Sequence, residues 1–409
     1  MLFHSYGSFR TEAIPWVARY LTENEPTPYA HIRDSMQRFS AVLQNRRKKP
    51  QVHWISPKNL LLNQQEIDLD QFRSLLHFQL KNLELFFLEK LLFGNTLESL
   101  GITVDFKALK DSGDTTTIWY SPLLGDIWGN EDSNKLLKKL VGDGTLLMHN
   151  GTELVWDMGM AETWVADNHA ATCQTYCATH ITEGSSSRVT EEAKTQCSNT
   201  RTGRRHVFVM PGINTLCIWS NYWKGTTKSG TFKEILHIIP FRVSRLIFIL
   251  VQVIRPVITL YLAEHSVTAD NRLALKTTYS TNLWATLGST ITPKQMYRAI
   301  LVFLRSPNAE GNIPFNFSFG ERQYWQFIAA VQNKHLPGSP KYRKVEREES
   351  VGDRQAGRSG QTSHQHYAIE ESTIDRDPGF IEHYISYSKK WHEFWRISTE
   401  HGKDDQYFV

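Results

Sequence analysis

The run from Leu246 to Leu262, LIFILVQVIRPVITLYL, is the most apolar stretch of the chain and demands a large buried core. Arg255 and Pro256 interrupt it after nine residues, short of the roughly 20 apolar residues that a helix needs to span a bilayer. The run therefore reads as a pair of buried helices, and no membrane partner is expected. The chain's 409 residues are enough for two or three domains around such a core. Hydrophobic residues at 40% and charged residues at 22% lie near globular averages, which excludes a chain disordered as a whole. A net charge of +4 is too small to identify a nucleic-acid partner by itself, although local basic patches can still hold phosphate.

Cys173, Cys177, Cys197 and Cys217 are too few for a disulfide framework, and MLFHSYGSFRTEAIPW lacks a charged head followed by an apolar run. An intracellular protein is expected, so the glycosylation-like tripeptides at Asn150 and Asn316 carry no weight. RRKKP at Arg46 to Pro50 reads first as a solvated turn before a strand, and second as a nuclear-import or phosphate patch.

Periodicity divides the chain. Leu69, Phe72, Leu76, Leu80, Leu83, Phe87 and Leu91 recur at steps of three and four, one face of a long helix over 68–93, and the N-terminal third is expected to be helical. Between Thr103 and Asn134 the Gly- and Asp-rich text suggests loops and a domain joint. A second helix is expected over 158–180, ending in GSSSR, a small-residue loop that presents Arg188. RHVFVM, TLCIWSNYW and TFKEILHII then read as a three-stranded antiparallel meander with Lys224 at a turn. Beyond Pro240 helices are expected over 242–262, 293–304 and 321–334, followed by a polar loop over 337–364 and an aromatic helix over 380–395. The fold class is mainly α with a small antiparallel β-meander, α+β. No solenoid repeat is visible.

HAATCQTYCATH offers His169, Cys173, Cys177 and His180, an inventory of metal ligands. On one helix these positions spread over about 16 Å at 1.5 Å per residue, so at most two neighbours reach one ion and a packing role is favoured. No metal or cofactor is expected. Phosphate-binding loops, GxGxxG and HExxH are all missing, and no paired-carboxylate or nucleophile-elbow pattern is seen. What remains is Arg188 on a tight loop, Lys224 on a β-turn and Tyr367 in QAGRSGQTSHQHYA. Basic side chains around a phenol are what phosphodiester chemistry by tyrosine requires. Arginine and lysine neutralise the non-bridging oxygens, a proton donor assists the leaving 5′-oxygen, and the phenol oxygen attacks. A plain surface charge is the alternative for each basic residue, and a half-buried phenol for the tyrosine.

The order and local text of these residues resemble the tyrosine-recombinase-like region of fungal RecQ-type telomere-linked helicases and of related stand-alone fungal proteins of mobile-element origin. GSSSRVTEE resembles that family's Gly-x-x-x-Arg-x-Thr-Glu box, and the meander ending in HIIP resembles its β-hairpin with a Tyr-x-Lys turn. GERQYWQFIAAVQNKHL is similar to its second-arginine helix, DRQAGRSGQTSHQHYA to its tyrosine box, and SYSKKWHEFW to its closing segment. QVHWISPKNLLL and TTTIWYSPLLGDIWGN are similar to the region before its catalytic half, so the likeness runs over most of the chain.

The resemblance implies a helical N-terminal DNA-binding-like region over 1–135 and a recombinase-like core over 136–336 with its meander at about 205–239. A polar loop over 337–364 and a tyrosine box with the C-terminal aromatic helix over 365–409 complete it. It makes Arg188 the first phosphate-clamping arginine, Lys224 the donor to the leaving oxygen and Tyr367 the residue that forms the 3′-phosphotyrosyl bond. Two departures stand out. Arg358 occupies a position where the family has His, so a permanently charged group replaces one that exchanges a proton. Trp325 stands where the second arginine is expected, unless a shift of three brings in Arg322, and its companion His is missing in either alignment. Loss of one clamping arginine removes charge stabilisation worth several kcal/mol.

The implied function is a degenerate tyrosine-recombinase-like protein, nuclear, that binds duplex DNA with impaired chemistry. An active strand transferase using Arg322 and Arg358 as substitute clamps is the second hypothesis. The third is a non-enzymatic interaction protein, encoded beside a fungal biosynthetic gene cluster, whose aromatic tail docks a partner or a second copy; the same tail could instead close its own core.

Overall fold

The computed structural model describes residues 52–109, 111, 113, 117–118, 120–123, 129–151, 153–201, 203–210, 214–220, 235–266, 268–305, 321–336 and 379–397, with residues 32, 35, 36 and 39 near the start. Within them the chain is mainly helical, with small antiparallel sheets.

From residue 52 the chain runs into a sheet: the strand expected after RRKKP is there, with two more behind it, in an N-terminal third expected to be helical. Strands β1 (Val52–Trp54), β2 (Asn59–Leu62) and β3 (Gln65–Asp68) pair in order, antiparallel. Leu62 faces Gln65 across a two-residue turn, and Asn63 (φ 49°) and Gln64 (φ 72°) both take left-handed backbone, as a type I′ turn requires. Strands of three and four residues are too short for alternation to register, and Asn-Gln lacks the glycine that usually signals such a turn. Asp68 ends β3 and caps α1 (Leu69–Phe86), its carboxylate accepting from the Asp70 and Gln71 amides. The expected apolar stripe is the buried face, and a π-turn over Phe87–Leu91 extends it.

The Asp-rich segment read as a joint is stitched into the body. Ile102, Val104, Phe106 and Leu123 belong to the same apolar cluster as the later helices. Asp111 accepts from Arg205 at 2.9 Å and from the Val209 amide at 2.9 Å, which fastens the loop to the meander. Helix α2 (Glu131–Gly142) follows, so the expected boundary at 135 falls inside a helix. Asn130 and Ser133 form its capping box.

A hairpin, β4 (Leu147–Asn150) with β5 (Glu153–Trp156), leads into α3 (Met158–Thr182), which matches the second expected helix within two residues at its end. The short helix α4 (Val189–Glu192) comes next. Strands β6 (Val207–Met210), β7 (Thr215–Ser220) and β8 (Ile235–Ile238) form the antiparallel meander in the expected order. Residues 221–234, with Lys224, lie outside the described residues.

The apolar run is one helix, α5 (Phe241–Glu264), not a pair. Length and composition alone would let it cross a membrane, yet 83% of its apolar window is buried inside the protein. Pro256 has no N–H to give the Gln252 carbonyl, and a π-turn over Ile249–Ile254 absorbs the mismatch. The Asn130 amide supplies the missing donor, 2.8 Å from the Gln252 oxygen. Arg255 is buried and donates to the carbonyls of Tyr279 and Asn282 at 3.1 and 3.0 Å, and to that of Leu283. These close the end of α6 (Ala269–Thr281), a helix the sequence reading passed over. The two-residue strands β9 (Ala285–Thr286) and β10 (Ser289–Thr290) lead to α7 (Pro293–Phe303), and α8 (Glu321–His335) follows.

The last helix, α9 (Gly379–Trp395), turns its aromatic face inward. Trp391 and Trp395 are fully buried, Tyr384 packs with Phe208, Cys217, Leu236 and Ile238 of the meander, and Arg73 of α1 donates to the Phe394 carbonyl. The face that a docking partner would need is thus occupied within the chain. The expected polar loop over 337–364 and the tyrosine box up to residue 378 lie outside the described residues.

Candidate functional site

The GSSSR loop is the point where distant parts of the chain meet. Gly184, at φ 103°, turns the backbone out of α3, a conformation that suits glycine. Each serine after it bonds a different element. Ser185 Oγ donates to Gln332 Oε1 of α8 at 2.7 Å, Ser186 Oγ lies 3.3 Å from His180 Nε2 of α3, and Ser187 Oγ lies 3.3 Å from His237 Nε2 of β8. Helix α9 reaches the same place, with His392 Nε2 donating to the Thr182 carbonyl at 3.0 Å. Three small hydroxyl side chains let the loop pass tightly between these elements while satisfying buried donors and acceptors.

Arg188 ends the loop and caps α4. Its side chain is 40% exposed and sits 3.8 Å from Glu191, a loose ion pair that leaves the guanidinium open to solvent. Among the expected site residues it is the one whose side chain is described. Arg322 is the second residue of α8, with its side chain outside the described residues, and Trp325, the alternative at that position, is half-buried. Lys224, Arg358 and Tyr367 lie wholly outside them. Of the elements that meet at the loop, α8 is the one that carries a candidate residue, Arg322.

Beneath Arg188 lies a network that the sequence reading missed. His180 Nδ1 lies 2.8 Å from Glu192 Oε2, and Tyr176 OH donates to the same oxygen at 2.7 Å. The Tyr324 ring of α8 tilts over the imidazole with centroids 5.1 Å apart. With Nδ1–H directed at Glu192, Nε2 accepts from Ser186, which is the order of groups in a hydrolase triad. Ser186 is only 1% exposed, so no carbonyl substrate reaches its oxygen and the chain of bonds serves to fix the loop.

Glu183, the cap of α3, is buried beside this chain. Burial and then the Glu192 charge push its carboxyl well above the usual range, and burial with the same charge raises the Tyr176 phenol. His180 was grouped in the sequence with His169, Cys173 and Cys177, but its partners are the carboxylate of Glu192 and the Ser186 hydroxyl. Cys173 lies 3.9 Å from His169, Cys177 is fully buried, and burial pushes the Cys173 thiol up to about 11, so neither is a ready thiolate. The box GSSSRVTEE did contain Glu192. Only the fold reveals that it turns back onto His180.

Comparison with protein families, with curated proteins and with solved structures finds no match for this chain.

Proposed function

We propose that the chain is a tyrosine-recombinase-like DNA-binding protein, nuclear, whose strand-breaking chemistry is impaired. The carrying observation is Arg188, a solvent-open guanidinium held at the end of a loop bonded to α3, α8 and β8. A guanidinium on a rigid base is suited to two non-bridging phosphate oxygens, because its planar fork offers paired donors and the loop backbone beneath it needs no reordering on binding. Support also comes from α8, the helix that carries Arg322, whose Gln332 is bonded to Ser185 of this loop. Impairment follows from the sequence: with Trp325 or a displaced Arg322 in the second clamping position and Arg358 in place of a proton-exchanging His, charge development in the transition state is less well met.

The test is incubation with nicked duplex DNA, scoring both a retarded complex and an SDS-resistant protein–DNA adduct. A salt-sensitive complex without adduct is expected. An adduct lost in Tyr367→Phe would show working chemistry, and absence of a complex even at low salt would remove DNA from the account.

A further inference from the structure

We infer that His180, Glu183 and Glu192 form a binding site for a divalent first-row metal ion of the zinc class, buried under the Arg188 loop. Each of the three offers a ligand atom, and these atoms all lie within 4.8 Å of one another. A tetrahedral zinc ion with bonds of about 2.0–2.2 Å sets its ligands roughly 3.4 Å apart, so small side-chain rotations bring the three into place. All three residues are buried, Glu183 at 2% exposure.

A second observation points into the cluster. Glu183 Oε1 is buried without a hydrogen-bond partner. A carboxylate oxygen removed from water and given no donor is destabilising unless a cation or a proton is supplied. Glu192 stands beside it, so two buried carboxyl groups share one small space, and an ion of charge +2 answers both.

The surroundings suit a metal ligand set. Tyr176 OH holds Glu192 Oε2 at 2.7 Å, and Ser186 Oγ lies 3.3 Å from His180 Nε2. With Nδ1 turned to the ion, Nε2 carries the proton and donates to Ser186, the kind of outer contact that fixes the tautomer and ring orientation of a ligating histidine. One imidazole and two carboxylates leave a fourth position for water. His180 and Glu183 close α3 and Glu192 closes α4, so an ion would join the two ends of the segment carrying Arg188. Its role in this place is to hold the loop. The inference concerns residues distinct from Arg188 and stands whether or not the chain binds DNA.

The competing occupant is a proton shared between Glu183 and Glu192, and Glu183→Gln separates the two. The amide keeps the shape of a protonated carboxyl and can donate to Glu192, but is a poor metal ligand. Full-length chain stripped with chelator is titrated with Zn2+ by calorimetry, with Co2+ by its visible absorption, and melted with and without Zn2+. Expected are one equivalent of Zn2+ bound, a raised melting temperature, and affinity at least about tenfold weaker in folded Glu183→Gln. Cys173→Ser binds as the parent chain does. The inference is overturned if the parent takes up no ion, if Glu183→Gln binds Zn2+ equally well, or if uptake disappears in Cys173→Ser instead.

Discussion

Arg255 shows how misleading a charged residue in an apolar run can be. In the sequence it breaks LIFILVQVI from VITLYL; in the fold it is buried and closes the carbonyl end of a neighbouring helix. Replacing it with Leu would keep the volume roughly constant and leave the carbonyls of Tyr279, Asn282 and Leu283 without a donor. At about 1–3 kcal/mol for each unsatisfied buried group, Arg255→Leu is expected to cost about 3 kcal/mol or more, read as a lower urea midpoint at unchanged slope. Two buried histidines contribute to the acid limit. Burial holds His237 down to about 4 and His392 to about 3, against an ordinary value of 6.5. The unfolded chain therefore takes up protons on both rings first as pH falls. Their contribution is full above pH 6.5 and is lost progressively toward pH 4 and below, at up to about 1.4 kcal/mol per pH unit for each ring. Unfolding free energies measured from pH 7 to pH 4 should fall with that sign, and less steeply in His237→Gln.

At the level of elements, helices announced themselves where apolar spacing was long and regular, as in α1, α3, α7, α8 and α9. The meander was legible because its strands are dense in β-branched and aromatic residues. What stayed hidden depended on partners far along the chain. The first sheet relies on a two-residue turn without glycine, and α5 passes through Pro256 because Asn130, 122 residues upstream of its bond with Gln252, supplies a donor. This makes Asn130 bifunctional: Oδ1 caps α2 and Nδ2 completes α5. Asn130→Asp keeps the cap and removes the amide donor, and is expected to lower stability by about 1–3 kcal/mol in urea unfolding. Asn130→Ala, which loses both functions, should fall further by the roughly 1 kcal/mol of a lost cap.

Across the described molecule, the segment that ends in the half-exposed Arg188 is bonded to α3, α8, β8 and α9, a gathering that no local pattern could reveal. Arg188 was legible because small residues and a turn precede it. The His180, Glu183 and Glu192 group was not, since Glu192 reads as a surface acid until α4 folds it back. The tail helix was legible as an aromatic face, and the fold assigns that face to the chain's own interior. Contact between Arg188 and a DNA phosphate is tested by the affinity of the full chain and of Arg188→Ala for nicked duplex across a salt series. Salt-steep binding by the parent chain is expected, with weaker binding by the variant irrespective of DNA sequence and a log–log salt slope shallower by about one. Equal affinities and equal slopes would contradict it.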